Sequence, residues 1–478
     1  MDKFLSKKKL VKDISANMLQ TVTTQLFGLL IFYITSKYLS KNDFGEFNWS
    51  TAVGFTVIAV ASLGLDLVFV KRVASGESVL EISGIHYFHT VIVGVIITGI
   101  SLLITLLVPS FSIRHPLFFF ILLNVAIINI ANSFKLCLNG LDAYKQLAIL
   151  ALCTNVFKLL SILSLFLVDR FNVMNVIIMF LTTSVLEFVL AYFLMNKVIK
   201  ARVKPLLKVA EYKYFILESL PQLGVVVFDS ALSRMDLILL GLISTAGITA
   251  EYSFVYKVYE LSKLPLIIIG PVLLTRFSKL FSHNKQLEEN QKNEIAMFFR
   301  LELFIMMLIP IFLISVWSPL VDFFTNNKYG AVNETNYWIL SACVPMVCIV
   351  NFLWTLGFVQ GQLKAIMYIT MAVSALNIVA NLILIPAYGG FGSAIAFLIS
   401  TLVQVGLYLR FINQSHIKFN FKSAALTFMN AGMAIILGKL WVNNIIFTTV
   451  NSIGLYVVLS IITKQINLKH VKQLVLGK

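Results

Sequence analysis

Three acidic residues, Glu218, Asp229 and Asp236, fall within the apolar stretch 213–243. At about 100° per residue they lie within about 20° of one helical stripe, about 27 Å long. Ionisable groups in such a stretch do not face lipid. The stripe either carries a coupling ion or pairs with basic neighbours. Pro221 can kink the helix and break the alignment above Glu218. Arg234 points to roughly the opposite side, and a guanidinium suits bidentate phosphate binding. It either holds a phosphate group or pairs with an acid on a neighbouring helix.

The next apolar stretch carries Tyr252, Tyr256, Tyr259 and Lys263 on one face, reaching about 16 Å along the axis. Tyrosines in a wet cavity stack on sugar faces and hydrogen-bond hydroxyls. An interfacial belt accounts for Tyr252 but not for the whole set. Lys257 and Glu260, three residues apart, read as a local pair.

Lys158 and Glu187, on two consecutive apolar stretches, differ in depth by about 8 Å. They are expected either to form an ion pair or to line a cavity. Asp66 precedes Lys71 and Arg72 and fits a local salt bridge as well as a substrate contact. Asn377 and Asn381 lie one turn apart; in an apolar helix their amides need partners, either across a helix interface or in a polar cavity. His86 and His89 have the spacing of a metal pair, but no carboxylate or cysteine cluster completes it, so no metal is expected. The chain has no Gly-rich phosphate loop of the Walker kind and no supported serine–histidine–acid arrangement, so direct ATP use and hydrolytic chemistry are not expected. Its four cysteines form no paired Cys-x-x-Cys sites.

The elements that position these groups are membrane spans. Of the 478 residues, 59% are hydrophobic and 13% charged, against about 25% charged in a typical soluble domain. Apolar runs of about 20 residues, enough to cross roughly 30 Å of hydrocarbon, recur throughout. About fourteen spans are expected, near 14–38, 44–70, 84–109, 116–137, 145–168, 172–195, 213–243, 247–274, 295–321, 334–358, 363–386, 389–412, 421–441 and 445–464. With the N-terminus placed in the cytosol, the cytosolic connections hold about 28 Lys and Arg and the outer ones about five. The net charge of +16 is then mainly a topology signal, with contact to anionic inner-leaflet lipid as its other role. A nucleic-acid partner is not expected, because the basic residues are scattered over many short loops. The N-terminal segment lacks a signal-peptide profile and reads as a cytosolic tail, and the C-terminus is expected on the same side.

A weak internal repeat is visible. Gly140 precedes Asn155, and Gly361 precedes Asn377, by about fifteen residues; in each half another span follows after a tight turn. Two six-helix lobes, 1–205 and 206–415, are expected, followed by two further helices and a tail, 416–478. The turn after Asn381 is sharp: Pro386 ends one span, and Gly389, Gly390 and Gly392 permit reversal. Gly392, Ser393, Ala394 and Ala396 give the next span a small-residue face for close packing.

The segment Asn377-x3-Asn-Leu-x-Leu-Ile-Pro-x-Tyr-Gly-x2-Gly-Ser-Ala-x-Ala resembles the polysaccharide-biosynthesis flippases, the O-antigen translocase (Wzx-like) group. These belong to the multidrug, oligosaccharidyl-lipid and polysaccharide exporter superfamily, together with the multidrug and toxin extrusion (MATE) antiporters. Tyr38-LSKNDFGEFNWS, Leu63-Gly-Leu-Asp66 with Lys71-Arg-Val-Ala74, and Arg234-Met-Asp236 through Gly241 resemble further family segments in order, as do Ala246-Gly247 and Tyr252 to Lys257. The resemblance implies an all-α, two-lobed, MATE-like bundle working by alternating access in the bacterial cytoplasmic membrane, and no enzyme activity. It implies a polyprenyl-pyrophosphate-linked oligosaccharide as cargo, an O-antigen or capsule repeat, moved to the outer leaflet. It would place Arg234, Lys158, Lys257 and Lys263 near the pyrophosphate, tyrosines and amides near sugars, and Glu218, Asp229, Asp236, Glu187 and Asp66 as candidates for proton or sodium coupling. No cofactor is implied, and other glycan-assembly membrane proteins are possible partners. Lipid II flippases carry arginines in the first span; this chain has Gln25 there and no arginine, which argues against a peptidoglycan precursor. The rival reading is a multidrug cation antiporter of the same fold, which the mixed charge of Lys158, Arg234, Lys257 and Lys263 disfavours.

Overall fold

The computed structural model describes residues 7–266, 270, 273, 274, 277, 278, 289–412, 421–441 and 445–465, and among them there is no strand. Fifteen helices are delimited in the described residues. They are α1 (Lys7–Tyr38), α2 (Lys41–Ala61), α3 (Leu65–Ala74), α4 (Val79–Leu107), α5 (Pro109–Arg114), α6 (Phe118–Gly140), α7 (Tyr144–Leu167) and α8 (Val173–Ile199). There follow α9 (Val209–Ile243), α10 (Ala246–Ser262), α11 (Glu289–Thr325), α12 (Gly330–Val359), α13 (Leu363–Phe411), α14 (Phe421–Trp441) and α15 (Ile445–Ile462). Eight of these are long and apolar enough to cross a membrane, nine when α2 and α3 count as one bent span. Each of the fourteen expected spans falls on a helix, two of them on α13; part of span 247–274 lies outside the described residues. The chain is an all-α, multi-pass membrane protein.

Local sequence sets the helix ends. Ser40 accepts a hydrogen bond from the Asp43 amide at 3.1 Å and donates to the Asp43 carboxylate at 2.7 Å, capping α2. Asn172 caps α8 through the Asn175 amide, 2.9 Å away. The single expected span 44–70 is instead two helices, bent by 58°. Leu63 (φ 53°) and Gly64 (φ 74°) both adopt the left-handed conformation there. A Cβ on Gly64 would lie 2.8 Å from the Leu223 amide nitrogen and 2.9 Å from the Ser219 carbonyl oxygen. The bend therefore sets α3 backbone-close to α9, an approach that the apolar count of the span does not encode.

Two compact units divide the chain, residues 1–250 and 251–478. In the first, α6 packs against α2, α3, α4, α7 and α8, α1 lies along α7, and α9 lies along α2 and α3. Phe69, Phe134, Cys137, Leu138 and Phe215 form one buried cluster; Trp49, Ile121, Leu122, Val125 and Ile177 belong to another. In the second unit, α12 packs against α11 and α13, and α15 against α14 and α11. The outward face of α4 exposes Val95, Ile96, Ile100, Leu103, Leu106 and Leu107, as expected of a helix bordered by lipid, which solvates apolar side chains.

The reversal expected from the glycines is present, but Pro386 does not end the helix and lies within it. Gly389 (φ 54°, ψ −130°) breaks the helix, and residues 390–411 return beside residues 363–388. A Cβ on Gly392 would lie 2.4 Å from the Leu384 carbonyl oxygen, so the reversal depends on having no side chain there. Gly392→Val should therefore destabilise the folded protein by about 1–3 kcal/mol or more. Gly406→Ala, where nothing lies within 4 Å of the new methyl, should be neutral. Thermal unfolding in detergent measures both, and equal melting temperatures would refute the assigned contact.

Candidate functional site

The membrane-embedded charges of the first unit sort into neutralised and unneutralised groups. Glu218 on α9 receives Arg72 of α3, with Nε 2.9 Å and Nη2 2.5 Å from Oε2. Lys71 lies 3.6 Å from Oε1, and Arg72 also reaches Glu77 at 3.8 Å. The Arg72 guanidinium lies 5.0 Å from the ring centres of Tyr214 and Phe215. Glu218 is thus the anion of an interhelical pair. The other two acids of the expected stripe differ from it and from each other: Asp229 is exposed, whereas Asp236 is 1% exposed and accepts the Leu237 amide at 2.8 Å. The three acids share a helical azimuth without sharing an environment, because α3 covers only the Glu218 end.

Asp66 does not pair with Lys71 or Arg72. It lies 3.1 Å from Nε2 of His86, whose Nδ1 lies 2.7 Å from the Ser133 hydroxyl. His86 also stacks on Phe69, ring centres 4.1 Å apart. The imidazole therefore ties α3, α4 and α6 together. His89 reaches the Tyr212 hydroxyl at 2.9 Å, so these histidines have separate protein partners.

The expected Lys158–Glu187 pair is also corrected. Glu187 pairs with Lys135 of α6 at 2.7 Å. Lys158 instead lies 3.8 Å above the Phe180 ring. Another lysine holds the azimuth that faces Glu187. Arg234 is half-buried, with Nη1 3.5 Å from the Ser230 hydroxyl and the guanidinium 5.6 Å from the Phe55 ring. Neither Lys158 nor Arg234 has a carboxylate within ion-pair distance among the described residues.

In the second unit, Tyr252, Tyr256 and Tyr259 form a continuous ladder, with ring centres 5.9 and 5.6 Å apart. Phe397 of α13 packs edge-on against Tyr256 and Tyr259. Tyr252 and Tyr259 are fully buried, so this face is a packing surface in this structure and not the open, wet platform expected. Lys263 sits 4.6 Å from the Tyr259 ring. Lys257 pairs with Glu260 at 2.9 Å, as its spacing suggested. Asn377 and Asn381 are both buried. The Asn381 amide donates to the Asn377 carbonyl and side-chain oxygens at 2.9 and 3.1 Å, and Ser393 donates to Asn381 Oδ1 at 2.8 Å. These contacts join the two halves of α13.

Sequence reasoning missed Glu46, His115 and Glu302. Glu46 and His115 form a buried pair. Glu302 of α11 is 1% exposed, with no hydrogen-bond partner for either carboxylate oxygen among the described residues. The available signal for Glu46 and Glu302 was a carboxylate inside an expected span; His115 lies at a span boundary and gives no periodic signal.

The Arg72–Glu218 pair makes a quantitative prediction. Arg72→Met alone leaves a carboxylate inside the bundle and should cost about 2–3 kcal/mol. Adding Glu218→Met should recover most of that loss. If the double variant melts no higher than the single, the two side chains are not coupled.

Solved structures of similar fold cover nearly the whole chain. The lipid II flippase MurJ, in an inward closed conformation, superposes with a TM-score of 0.74 at 16% identity, over 93% of this chain and 98% of that one. An inward-facing multidrug resistance MATE family transporter gives 0.62 at 13% identity, over 80% and 92%. A MOP superfamily transporter from Pyrococcus furiosus gives 0.55 at 14%, over 83% and 93%. At these identities the likeness establishes the fold. No curated protein matches the chain by sequence. Residues 10–281 match the family described as Polysaccharide biosynthesis protein. With more than half of its length matched, the chain belongs to the polysaccharide biosynthesis protein family.

Proposed function

We propose that this protein is a flippase that moves polyprenyl-pyrophosphate-linked oligosaccharide units, O-antigen or capsule repeats, from the cytosolic to the outer leaflet of the bacterial cytoplasmic membrane. The observation that carries the reading is a pair of membrane-embedded cations with no carboxylate at ion-pair distance among the described residues. Arg72 and Lys135 form ion pairs, whereas Lys158 and Arg234 lie against aromatic faces or a hydroxyl, with Glu187 acting on Lys158 from beyond ion-pair distance. A cation kept in a membrane-embedded helix without a counter-ion is costly and serves an anion that arrives with the cargo. Arg234 can take a phosphate bidentately, and Lys158 can add a point charge. The described residues are almost entirely helical and without a strand, and family membership directs the reading to glycan assembly.

In this mechanism the lobes expected at 1–205 and 206–415 open alternately to the two sides of the membrane. The pyrophosphate engages the cations, the sugars engage hydroxyls and amides, and the prenyl chain stays in lipid. The tyrosine ladder and the Asn377–Asn381–Ser393 contacts are buried in this structure. A sugar-contact role for them requires a conformation that opens those surfaces.

Cells lacking the protein should accumulate polyprenyl-linked glycan at the cytosolic face. Wild type should relieve this, and folded Arg234→Ala and Lys158→Gln should fall about tenfold or more in export, the loss expected for one charged hydrogen-bond contact of about 1.5–3 kcal/mol. Full rescue by both variants removes the phosphate role. No accumulation on deletion, in a strain without a second flippase, removes the flippase reading and favours the multidrug antiporter.

A further inference from the structure

A cavity of about 280 Å³ lies in the first unit between the start of α2, the end of α5 and the α9–α10 turn. With the N-terminus in the cytosol, as the loop charges lead one to expect, this end would face the outer side of the membrane. Glu46, Trp49, Arg114, His115, Thr245 and Thr249 are among its lining residues. Glu46 and His115 are 6% and 5% exposed, yet both line the cavity. His115 Nδ1 lies 2.9 Å from Glu46 Oε2, and Ser50 donates to Oε1 at 3.1 Å. The imidazole stacks on Trp49, ring centres 3.9 Å apart and planes at 24°. Trp49 is fixed in turn by donating to the Ile238 carbonyl at 3.0 Å. The pair is thus oriented by α2, α5 and α9 together.

The close approach of these helices has a definite cause. A Cβ on Gly45 would lie 1.9 Å from the Ala246 carbonyl oxygen, and one on Gly241 would lie 2.0 Å from Trp49 Cδ1. Arg114 adds a polar tie, with Nη2 2.8 Å from the Leu242 carbonyl and 3.2 Å from that of Ser244. α10, which begins at this turn, carries the chain from the first unit into the second.

We propose that Glu46 and His115 form a proton-binding site, served by this cavity, that couples a proton to the transport cycle. The coupling rests on the transporter reading above; the proton binding does not. With Glu46 ionised, its carboxylate accepts the Nδ1 hydrogen, which leaves the imidazole lone pair on Nε2. A proton from hydronium in the cavity adds at Nε2 and releases water; no other bond changes. The pair goes from net −1 to neutral. The new cation stands next to Arg114 in sequence, so occupancy alters the repulsion felt by the side chain that holds the α9–α10 turn. Nearest in sequence to the lining residues, the other charged groups on these elements are Asp43 on α2, bonded to Ser40, Lys41 on α2, Asp236 on α9 and, two residues beyond Thr249 on α10, Glu251; Glu211, Lys213, Glu218, Asp229 and Arg234 of α9 and Lys257 and Glu260 of α10 lie further along their helices. α6 contributes no charged side chain to the cavity lining.

The Trp49 stack supplies the readout, because an imidazolium in ring contact quenches indole emission. The difference in emission between wild type and Trp49→Phe isolates this residue in the full chain. That difference should fall by about half or more on acidification, through one proton-binding step. His115→Gln should abolish the step. Glu46→Gln, which removes the carboxylate that favours the imidazolium, should move it down by about one pH unit, a tenfold loss of proton affinity. No step, or the same step in His115→Gln, overturns the site. Folded His115→Gln should also fail to relieve glycan accumulation. A normal titration with full rescue overturns the coupling while leaving the flippase reading intact. A normal titration with no accumulation on deletion defeats the flippase reading and leaves the proton site standing.

Discussion

A charge inside hydrocarbon must meet an opposite charge, a polar group or water, and that requirement organises this protein. It explains why α3 bends at Leu63 and Gly64 toward α9: the bend delivers Arg72 to Glu218. It explains why α6, the most surrounded helix of the first unit, carries Lys135 to Glu187 and Ser133 to His86. Breaking such a pair strands the other member, whereas replacing both with apolar groups of similar size is often tolerated. These pairs therefore fix which helices are neighbours more than they add stability. Against that background, Lys158 and Arg234 are informative because no carboxylate of the described residues lies within ion-pair distance of either.

The first unit uses two different means to hold helices close. One is charge and hydrogen bonding, as at Asp66–His86–Ser133. The other is the absence of side chains, as at Gly45 and Gly241, where α2 touches the α9–α10 turn at backbone distance. The two means respond differently to conditions. Glycine contacts are indifferent to salt, whereas the Glu46–His115 pair beside them is held by polar attraction. A contact fixed by shape next to one fixed by polarity gives the region two independent ties.

Spans were legible because roughly 30 Å of hydrocarbon demands about 20 apolar residues, and the reversal at Gly389 because proline and clustered glycines leave few conformations. The local Lys257–Glu260 pair was legible because i,i+3 neighbours need no tertiary knowledge. Partners between helices were not. Helix rise put Lys158 and Glu187 about 8 Å apart in depth, within reach of a long side chain. Azimuth depends on how helices rotate against each other, and Lys135 faces Glu187. The break between α2 and α3 was hidden because Leu63-Gly64-Leu65 is as apolar as a continuous span. The tyrosine stripe of α10 was found, but its burial was set by Phe397, nearly 140 residues away.

The hydrogen bond from Ser393 to Asn381 also bears on how the chain enters the bilayer. Residues 363–388 carry two buried amides that weaken their partition into hydrocarbon when inserted alone. Residues 390–411 supply the hydroxyl that answers one of them, across a turn too short to hold a soluble loop. The two halves therefore enter lipid with less penalty as a preformed hairpin than one after the other. A truncation after residue 388 would leave the amide of Asn381 without Ser393 when it meets the membrane.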